Sequence, residues 1–259
     1  MVRDYRVKFK IIKLMKLFIT SILVLLLTQN INCQQEEVSK LLKEKGVLLF
    51  EDQFDRDEPN ETEENIGNGW QTNSVRITKD GKKQADLVKG TLLIGKSEDA
   101  KHGPYVYHKA GFKNGVIQSR FKIFTNKGIG FNIVDPNYKG SSFGHICEIN
   151  IGPKSVSITD GKNGRFSRKF IKQKRNGTLT KEEKKIIASM KSVLPFKTSM
   201  NDWHQVSILY LEDTIKIYID NQFVGQFTSD GFAHPIKADF GFAVWGKVQI
   251  DNLKIWSID

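Results

Sequence analysis

Histidine and glutamate side chains in two short segments are the groups of this sequence best suited to acid–base or metal chemistry. KHGPYVYHKAGF carries His102 and His108 around two tyrosines, and HICEINI carries His145 and Glu148. Such groups transfer protons near neutral pH and bind divalent metal ions. We therefore predict Glu148, His145 and His108 as catalytic residues, and His102, His108, His145 and Glu148 as the ligands of a divalent metal ion.

The same spacing leaves a purely structural alternative open. His108 shares the face of Val106 in an alternating run, and His102 precedes Gly103 and Pro104, which favour a turn. The histidines do not follow the i, i+4 spacing of a helical metal motif, so a metal site would have to be assembled across strands. No phosphate-binding loop, nucleophile elbow or cofactor fingerprint accompanies them. No organic cofactor is therefore predicted.

The elements that must position these residues are short strands. From Val47 onward, about a dozen apolar or alternating runs are separated by Gly, Asn and Asp, which is typical of an all-β sandwich or barrel. The clearest hairpin is IYIDNQFVGQF, where Asp220 and Asn221 can adopt the left-handed conformations of a tight turn. One inserted helix is predicted around 180–192, because Thr180 and Glu183 have capping-box spacing before an apolar repeat.

The segment DWHQVSILYLEDTIKIYIDNQFVGQF resembles laminin-G-like and other concanavalin A-like jelly rolls. The resemblance spans about 50–256 and implies two antiparallel sheets packed face to face. It further implies that Trp203 caps the core and that the last strand, VQIDNLKIW, pairs beside the first, LLFEDQF. The predicted fold is therefore a two-sheet antiparallel jelly-roll sandwich with one inserted helix.

Within that fold, the chain is similar to secreted Planctomycetes and Bacteroidetes proteins of the 3-keto-disaccharide hydrolase type. The similarity lies in the segments LFEDQFD…GNGW, KGTLLIG and FKNGVIQSRFKI. This similarity implies cleavage of a glycoside beside a keto group, with a non-catalytic carbohydrate-binding module or a purely structural domain as alternatives. Retaining glucanases of the same overall fold place several acids on one strand. HICEINI offers only Glu148, followed by Asn150 and Gly152, so that two-carboxylate chemistry is rejected.

Side-chain alternation predicts a polar concave face suited to sugar hydroxyls. On this interpretation GVIQSRFKIF and GIGFNIV place their polar side chains beside those of HICEINI. The alternative is that the polar row is only the solvated face that antiparallel sandwiches commonly have. The residues predicted to bind substrate are Tyr107, as a stacking platform, with Gln118, Arg120, Asn132 and Asn150.

The start of the chain predicts export. Basic residues precede the apolar run MKLFITSILVLLLT, which is shorter than the roughly 20 residues of a spanning helix and matches a signal peptide. Cys33 then resembles the lipidated residue of a bacterial lipoprotein, although Asn32 stands where a smaller residue is usual. We predict a signal peptide at 1–32, a tether at 33–46 and a jelly-roll domain at 47–259, with Met1 and Met15 as alternative starts and a retained membrane anchor as the alternative to cleavage. The expected location is the periplasm or cell surface, with a lipid anchor in the outer membrane.

The net charge of the chain does not indicate a particular class of binding partner. Removal of residues 1–32 takes away six basic residues and one acidic residue, which reduces the net charge from +11 to about +6. The remaining lysines are scattered over 162–197 without interleaved aromatic residues, so no nucleic-acid partner is predicted. Lipidation of Cys33 would leave Cys147 without an intrachain disulfide partner.

Overall fold

Strands make up most of the regular secondary structure in the computed structural model, which describes residues 37–56, 58, 64–73 and 83–259. The predicted signal peptide and Cys33 lie outside these residues. Within them, no helix is long and apolar enough to cross a membrane. The strands are β1 (Val47–Asp52), β2 (Gln71–Thr72), β3 (Ala85–Leu87), β4 (Leu92–Gly95), β5 (Tyr105–Phe112), β6 (Gly115–Ile123), β7 (Ile129–Val134), β8 (His145–Ile151), β9 (Ser155–Asp160), β10 (Lys191–Pro195), β11 (His204–Leu211), β12 (Thr214–Ile219), β13 (Gln222–Thr228), β14 (Lys237–Ala243) and β15 (Lys247–Ser257). The helices are α1 (37–45), α2 (Arg168–Arg175) and α3 (Lys181–Ser189), with 3-10 turns at Ser142–Gly144 and Asp230–Ala233.

These strands form two antiparallel sheets, which confirms the predicted two-sheet sandwich. Sheet A has the order β13-β12-β11-β6-β15-β4-β3, with β1 also paired to β15, and sheet B has the order β10-β9-β8-β7-β14-β5-β2. The first strand, β1, pairs antiparallel with the last, β15, as the sequence predicted.

The core lies between the two sheets and follows side-chain alternation. The residues that β11 contributes to this core are Val206, Ile208 and Tyr210, and those from β12 are Ile215, Ile217 and Ile219. Sheet B contributes alternating aliphatic and aromatic side chains from its central strands. Because successive side chains point to opposite faces, each of these strands leaves a second row on the outer face of its sheet.

Local sequence signals explain several connections. Asp220 and Asn221 both adopt positive φ, at 51° and 64°, in the turn between β12 and β13, which confirms the predicted hairpin. Thr180 accepts a hydrogen bond from the Glu183 backbone, and the Glu183 carboxylate accepts one from Thr180, so the predicted capping box begins α3. The helix is shorter than predicted because β10 starts at Lys191, and α2 was not predicted.

The outer face of sheet A is partly covered by α1. Val38 is buried against Val116, Leu209 and Tyr218, with Leu42 packed at the edge of this group. Residues 37–45 of the predicted tether therefore form a helix that packs on sheet A.

The prediction that Trp203 caps the core is wrong. Its ring lies between the Arg120 guanidinium, 4.8 Å from the ring centre, and the Lys122 ammonium, at 4.9 Å. Both cations project from β6 on the outer face of sheet A, where a tryptophan stabilises them through its π-face.

Candidate functional site

The outer face of sheet B carries a continuous row of cross-strand neighbours through the middle of the sheet. Pairing of β2, β5, β14, β7, β8, β9 and β10 fixes their order. The row is Gln71, Tyr107, Gly241, Asn132, Glu148, Thr159 and Lys191. Directly paired side chains lie about 5 Å apart, so this row is a contiguous surface.

Glu148 is the buried carboxylate near the centre of this row. It is 7% exposed, forms an ion pair with Arg165 and is hydrogen-bonded by the Asn132 side chain. Burial raises the pKa of Glu148 above its usual range, because the charged form loses its hydration, while the positive charge of Arg165 acts in the opposite direction. A carboxyl group in this environment is a stronger base than a solvated one once it is ionised.

Arg165 reaches Glu148 from the turn that follows β9. Asp160 fixes that turn, because its carboxylate accepts hydrogen bonds from the backbone and the side chain of Asn163 at 2.8 and 3.1 Å. The Arg165 guanidinium lies 4.6 Å from the centre of the Phe166 ring, and Phe166 stacks on His145 with ring centres 4.1 Å apart. We call Glu148, Arg165, Phe166, His145 and Asn132 the Glu148 cluster.

A β-bulge brings His145 to this face. Strict alternation would place His145 and Glu148, which are three residues apart, on opposite faces. Ile133 pairs with Cys147, however, and Val134 with His145, so Ile146 is an extra residue. His145 therefore lies opposite Val134, on the same face as Asn132. Burial, with a contribution from the charge of Arg165, lowers the pKa of His145 to about 4, so its ring is neutral at physiological pH.

Two stacked tyrosines lie on β5: Tyr107, which belongs to the row, and Tyr105, which is next to it on the same face. The rings of Tyr105 and Tyr107 are 5.2 Å apart at an angle of 11°. Gly241 makes room for them, because a Cβ atom at that position would lie 2.5 Å from the Tyr105 ring. Burial raises the pKa of Tyr105, so its hydroxyl keeps its proton.

Three buried polar atoms on this face have no hydrogen-bond partner among the residues that the structure describes. They are the Tyr105 hydroxyl, Asn132 Oδ1 and His145 Nδ1. Buried polar groups are nearly always paired in folded proteins, so each such atom calls for an explanation. Asn132 and His145 belong to the Glu148 cluster, and Tyr105 lies on the same face three strands away, so this face is suited to hydroxyl-bearing ligands.

The structure does not bring the predicted metal ligands together. His108 lies on the inner face of sheet B, stacked on Phe50 at 3.6 Å, whereas Glu148 lies on the outer face. His102 is exposed and packs against Trp245 at 4.6 Å. In the described part of the chain, no group of three or more His, Cys, Asp or Glu side chains could hold a metal ion. The predicted set of His102, His108, His145 and Glu148 is therefore wrong as a metal site, and His108 is wrong as a catalytic partner of Glu148.

The predicted substrate residues divide between the two sheets. Tyr107, Asn132 and Asn150 lie on the outer face of sheet B, but Gln118 and Arg120 project from β6 in sheet A. Arg120 is paired there with Asp251 at 3.0 Å. The prediction that Gln118 and Arg120 share a surface with Glu148 is wrong, because alternation specifies the face of a strand but not the sheet to which the strand belongs.

Sequence reasoning missed Arg165, Phe166 and Tyr105. Tyr105 could have been found, because it is two residues from Tyr107 and shares its face. Arg165 and Phe166 lie in a turn without periodicity, so only the folded backbone shows that they reach Glu148.

Solved structures with a similar backbone include two laminarinases and an endo-β-galactosidase. The laminarinase from Flavobacterium sp. UMI-01 is 16% identical with a TM-score of 0.52, over 81% of this chain and 100% of that one. The laminarinase catalytic domain from Thermotoga maritima MSB8 is 15% identical with a TM-score of 0.51, over 82% and 98%. The endo-β-galactosidase from Clostridium perfringens is 13% identical with a TM-score of 0.52, over 83% and 63%.

No protein-family model matches the sequence, and no curated protein matches it. At such low identity the similarity of structure shows the fold and not the chemistry. The chain therefore has a concanavalin A-like β-sandwich fold, with the Glu148 cluster on the outer face of sheet B.

Proposed function

We propose that this protein binds a carbohydrate on the outer face of sheet B and cleaves a glycosidic bond there by acid–base chemistry at Glu148. The observation that carries the proposal is the set of three unpartnered polar atoms on the face that holds the buried Glu148: those of Asn132 and His145 in the Glu148 cluster, and that of Tyr105 on β5. Sugar hydroxyls supply the donors and acceptors that such atoms need, and the Tyr105 and Tyr107 rings offer apolar surface to a sugar ring.

The sequence resemblance favours a 3-keto glycoside as the substrate, and the Glu148 cluster suits that chemistry. Ionised Glu148 takes the proton from the ring carbon between the ketone and the anomeric carbon, and the electron pair forms an enolate. The enolate then re-forms the ketone and expels the glycosidic oxygen, which takes a proton as it leaves. Addition of water across the new double bond completes hydrolysis. Arg165 lies where a cation would stabilise the enolate, and neutral His145 can carry a proton.

A retaining two-carboxylate mechanism has less support from the geometry. A second buried carboxylate on this face, Asp239, lies two strands away on β14 and is paired with Lys109 at 2.8 Å. Two strand spacings separate the backbones by about 10 Å, whereas a retaining enzyme holds its two carboxyl groups about 5 Å apart. Elimination beside a ketone needs only one carboxylate base.

The relatives in structure support the carbohydrate class. The solved structures with this fold include laminarinases and an endo-β-galactosidase, which are named for their action on polysaccharides. Their sequences differ too much from this chain to identify a sugar or a linkage.

The test is cleavage of a 3-keto disaccharide by the full chain and by Glu148→Gln. Loss of the base should reduce turnover by at least about 100-fold, with unchanged thermal stability. Asp251→Asn is the matched control, because it converts an ion-paired carboxylate to an amide on the outer face of sheet A. Equal turnover in Glu148→Gln and the parent would remove Glu148 from the chemistry.

A non-catalytic carbohydrate-binding module is the second candidate. The observation in its favour is that Glu148 is held in an ion pair with Arg165, so in the resting cluster its charge is already compensated. Binding of glycans without cleavage of any 3-keto disaccharide, with or without added divalent metal, would establish this alternative.

Export with lipid attachment at Cys33 is a separate proposal that rests on the sequence of the first 33 residues. Metabolic labelling with a radioactive fatty acid, followed by membrane fractionation, should label the full chain and not Cys33→Ala. Equal labelling of both would overturn the assignment of Cys33.

A further inference from the structure

An open cavity of about 790 Å³ lies between α2 and the segment 136–144. Arg168, Lys172 and Arg175 line it from one face of α2, at i, i+4 and i+7, and Lys139 lines it from the opposite side. All four side chains belong to exposed residues, and none of the described residues that line the cavity is acidic. We call this cavity the basic groove.

Stabilisation of the helix does not account for this cluster. Basic residues near a helix C-terminus interact favourably with the helix dipole, which explains Lys172 and Arg175 in the last turn of α2. Arg168 lies in the first turn, where a cation is unfavourable, and Lys139 lies outside the helix. The concentration of positive charge is therefore a property of the groove.

An aromatic ring stands at the edge of the basic groove. Phe143 is 85% exposed and has a φ of 53°, in the left-handed region that a non-glycine residue seldom adopts. A backbone held in this conformation costs free energy, and such residues concentrate at binding sites. The exposed ring is positioned to stack on a ligand in the groove.

The basic groove adjoins the Glu148 cluster. Ser141 and Ser167 form a β-bridge between its two sides. Phe166, which stacks on His145, is two residues from Arg168, and His145 directly follows Gly144 of the groove wall. A glycan with one unit at Glu148 can therefore place a neighbouring unit in the groove.

We infer that the basic groove binds an anionic group of the glycan, either a sulfate ester or a uronate carboxylate, on a unit next to the one held at Glu148. This inference rests on the proposed carbohydrate function and adds the charge of the substrate to it. Clustered cations without a counter-charge attract anions, and an arginine can hold a sulfate or carboxylate through two parallel hydrogen bonds. Phe143 supplies the stacking surface for the sugar ring.

The test is binding of four probes to the full chain at 0.15 M salt: dextran sulfate oligosaccharide, unsulfated dextran, tetragalacturonate and single-stranded DNA. At least one of the two anionic glycans should bind more tightly than dextran, and the preferred one distinguishes sulfate from carboxylate. Lys172→Gln/Arg175→Gln should weaken that binding at least tenfold, and Phe143→Ala should weaken it as well. Lys43→Gln/Lys45→Gln, which removes the same charge from exposed positions of α1, is the matched control and should bind within twofold of the parent.

Equal binding of all three carbohydrates, or equal losses in the two double variants, would overturn the inference. DNA that binds as tightly as the preferred glycan and is weakened by the same groove variant would overturn its carbohydrate class. Cleavage does not enter these measurements. If the protein binds an anionic glycan but cleaves nothing, only the proposed chemistry at Glu148 is contradicted. If it cleaves a neutral keto sugar and shows no preference for charged glycans, only the anionic-group inference is contradicted.

Discussion

At the scale of single residues, the environment of each titratable group determines what it can do. Glu148 and His145 lie in one cluster, but burial moves their pKa values in opposite directions. The shift favours the uncharged form of each group, because low-dielectric surroundings penalise either charge. The cluster therefore holds a carboxyl group whose basicity is raised beside an imidazole that stays neutral.

His145 should titrate with a midpoint near pH 4, below the range of exposed histidines. The low value follows from burial and from the nearby Arg165 charge. The imidazole resonances followed by NMR between pH 3 and 8 measure it, with His145→Gln to assign the signal. A midpoint near 6.5 would contradict the burial of this ring.

Glu64 should make the fold less stable as the pH rises. Burial raises its pKa to about 7 from 4.5, although backbone amides of Ala85 and Gln84 favour its charged form. The folded state therefore prefers the protonated carboxyl. The stability that this preference contributes is fully present below pH 4.5 and is lost as the pH rises through about 7.

The measurement for Glu64 is urea unfolding of the parent and of Glu64→Gln at pH 4.5 and pH 8. The variant should be more stable than the parent at pH 8 and close to it at pH 4.5. Glu98→Gln, which removes one carboxyl group from an exposed position, is the matched control. A difference that is the same at both pH values would show that Glu64 does not titrate in this way.

At the scale of secondary-structure elements, periodicity predicts faces and local signals predict turns. The strands β11 and β12, the Asp220–Asn221 turn and the start of α3 follow from short-range patterns, because alternation, left-handed turn residues and capping boxes act within a few residues. The bulge at Ile146 is not visible in this way. It depends on how β7 and β8 meet, and it moves His145 to the face of Glu148.

The capping box of α3 should determine how firmly this helix is held. All of α3 lies at the surface with no buried residue, so packing contributes little and the cap contributes much. Thr180→Ala should cost about 1 kcal/mol of helix stability. Hydrogen exchange of the α3 amides should accelerate about fivefold, whereas Lys185→Ala should not accelerate it. Unchanged exchange in Thr180→Ala would show that the cap is not what stabilises the helix.

At the scale of the whole molecule, the two sheets have different outer surfaces. Sheet A carries α1 over Val116, Leu209 and Tyr218, and Arg120 on its outer face is paired with Asp251. Sheet B carries the Glu148 cluster and buried polar atoms without partners. The sequence could predict both sheets, since the runs and their alternation are local. It could not assign β6 to sheet A, because that assignment depends on long-range pairing with β11 and β15.

The most direct test of the account is calorimetric binding of glycans to two aromatic variants, one on each outer face. Tyr107 lies on the outer face of sheet B, and Trp203 lies between Arg120 and Lys122 on that of sheet A. Tyr107→Ala should weaken binding at least tenfold, because it removes one of the two stacked rings on the outer face of sheet B, while Trp203→Ala should bind as the parent does. Loss of binding in Trp203→Ala with full binding in Tyr107→Ala would show that the ligand binds on sheet A, which would contradict the proposed site on sheet B.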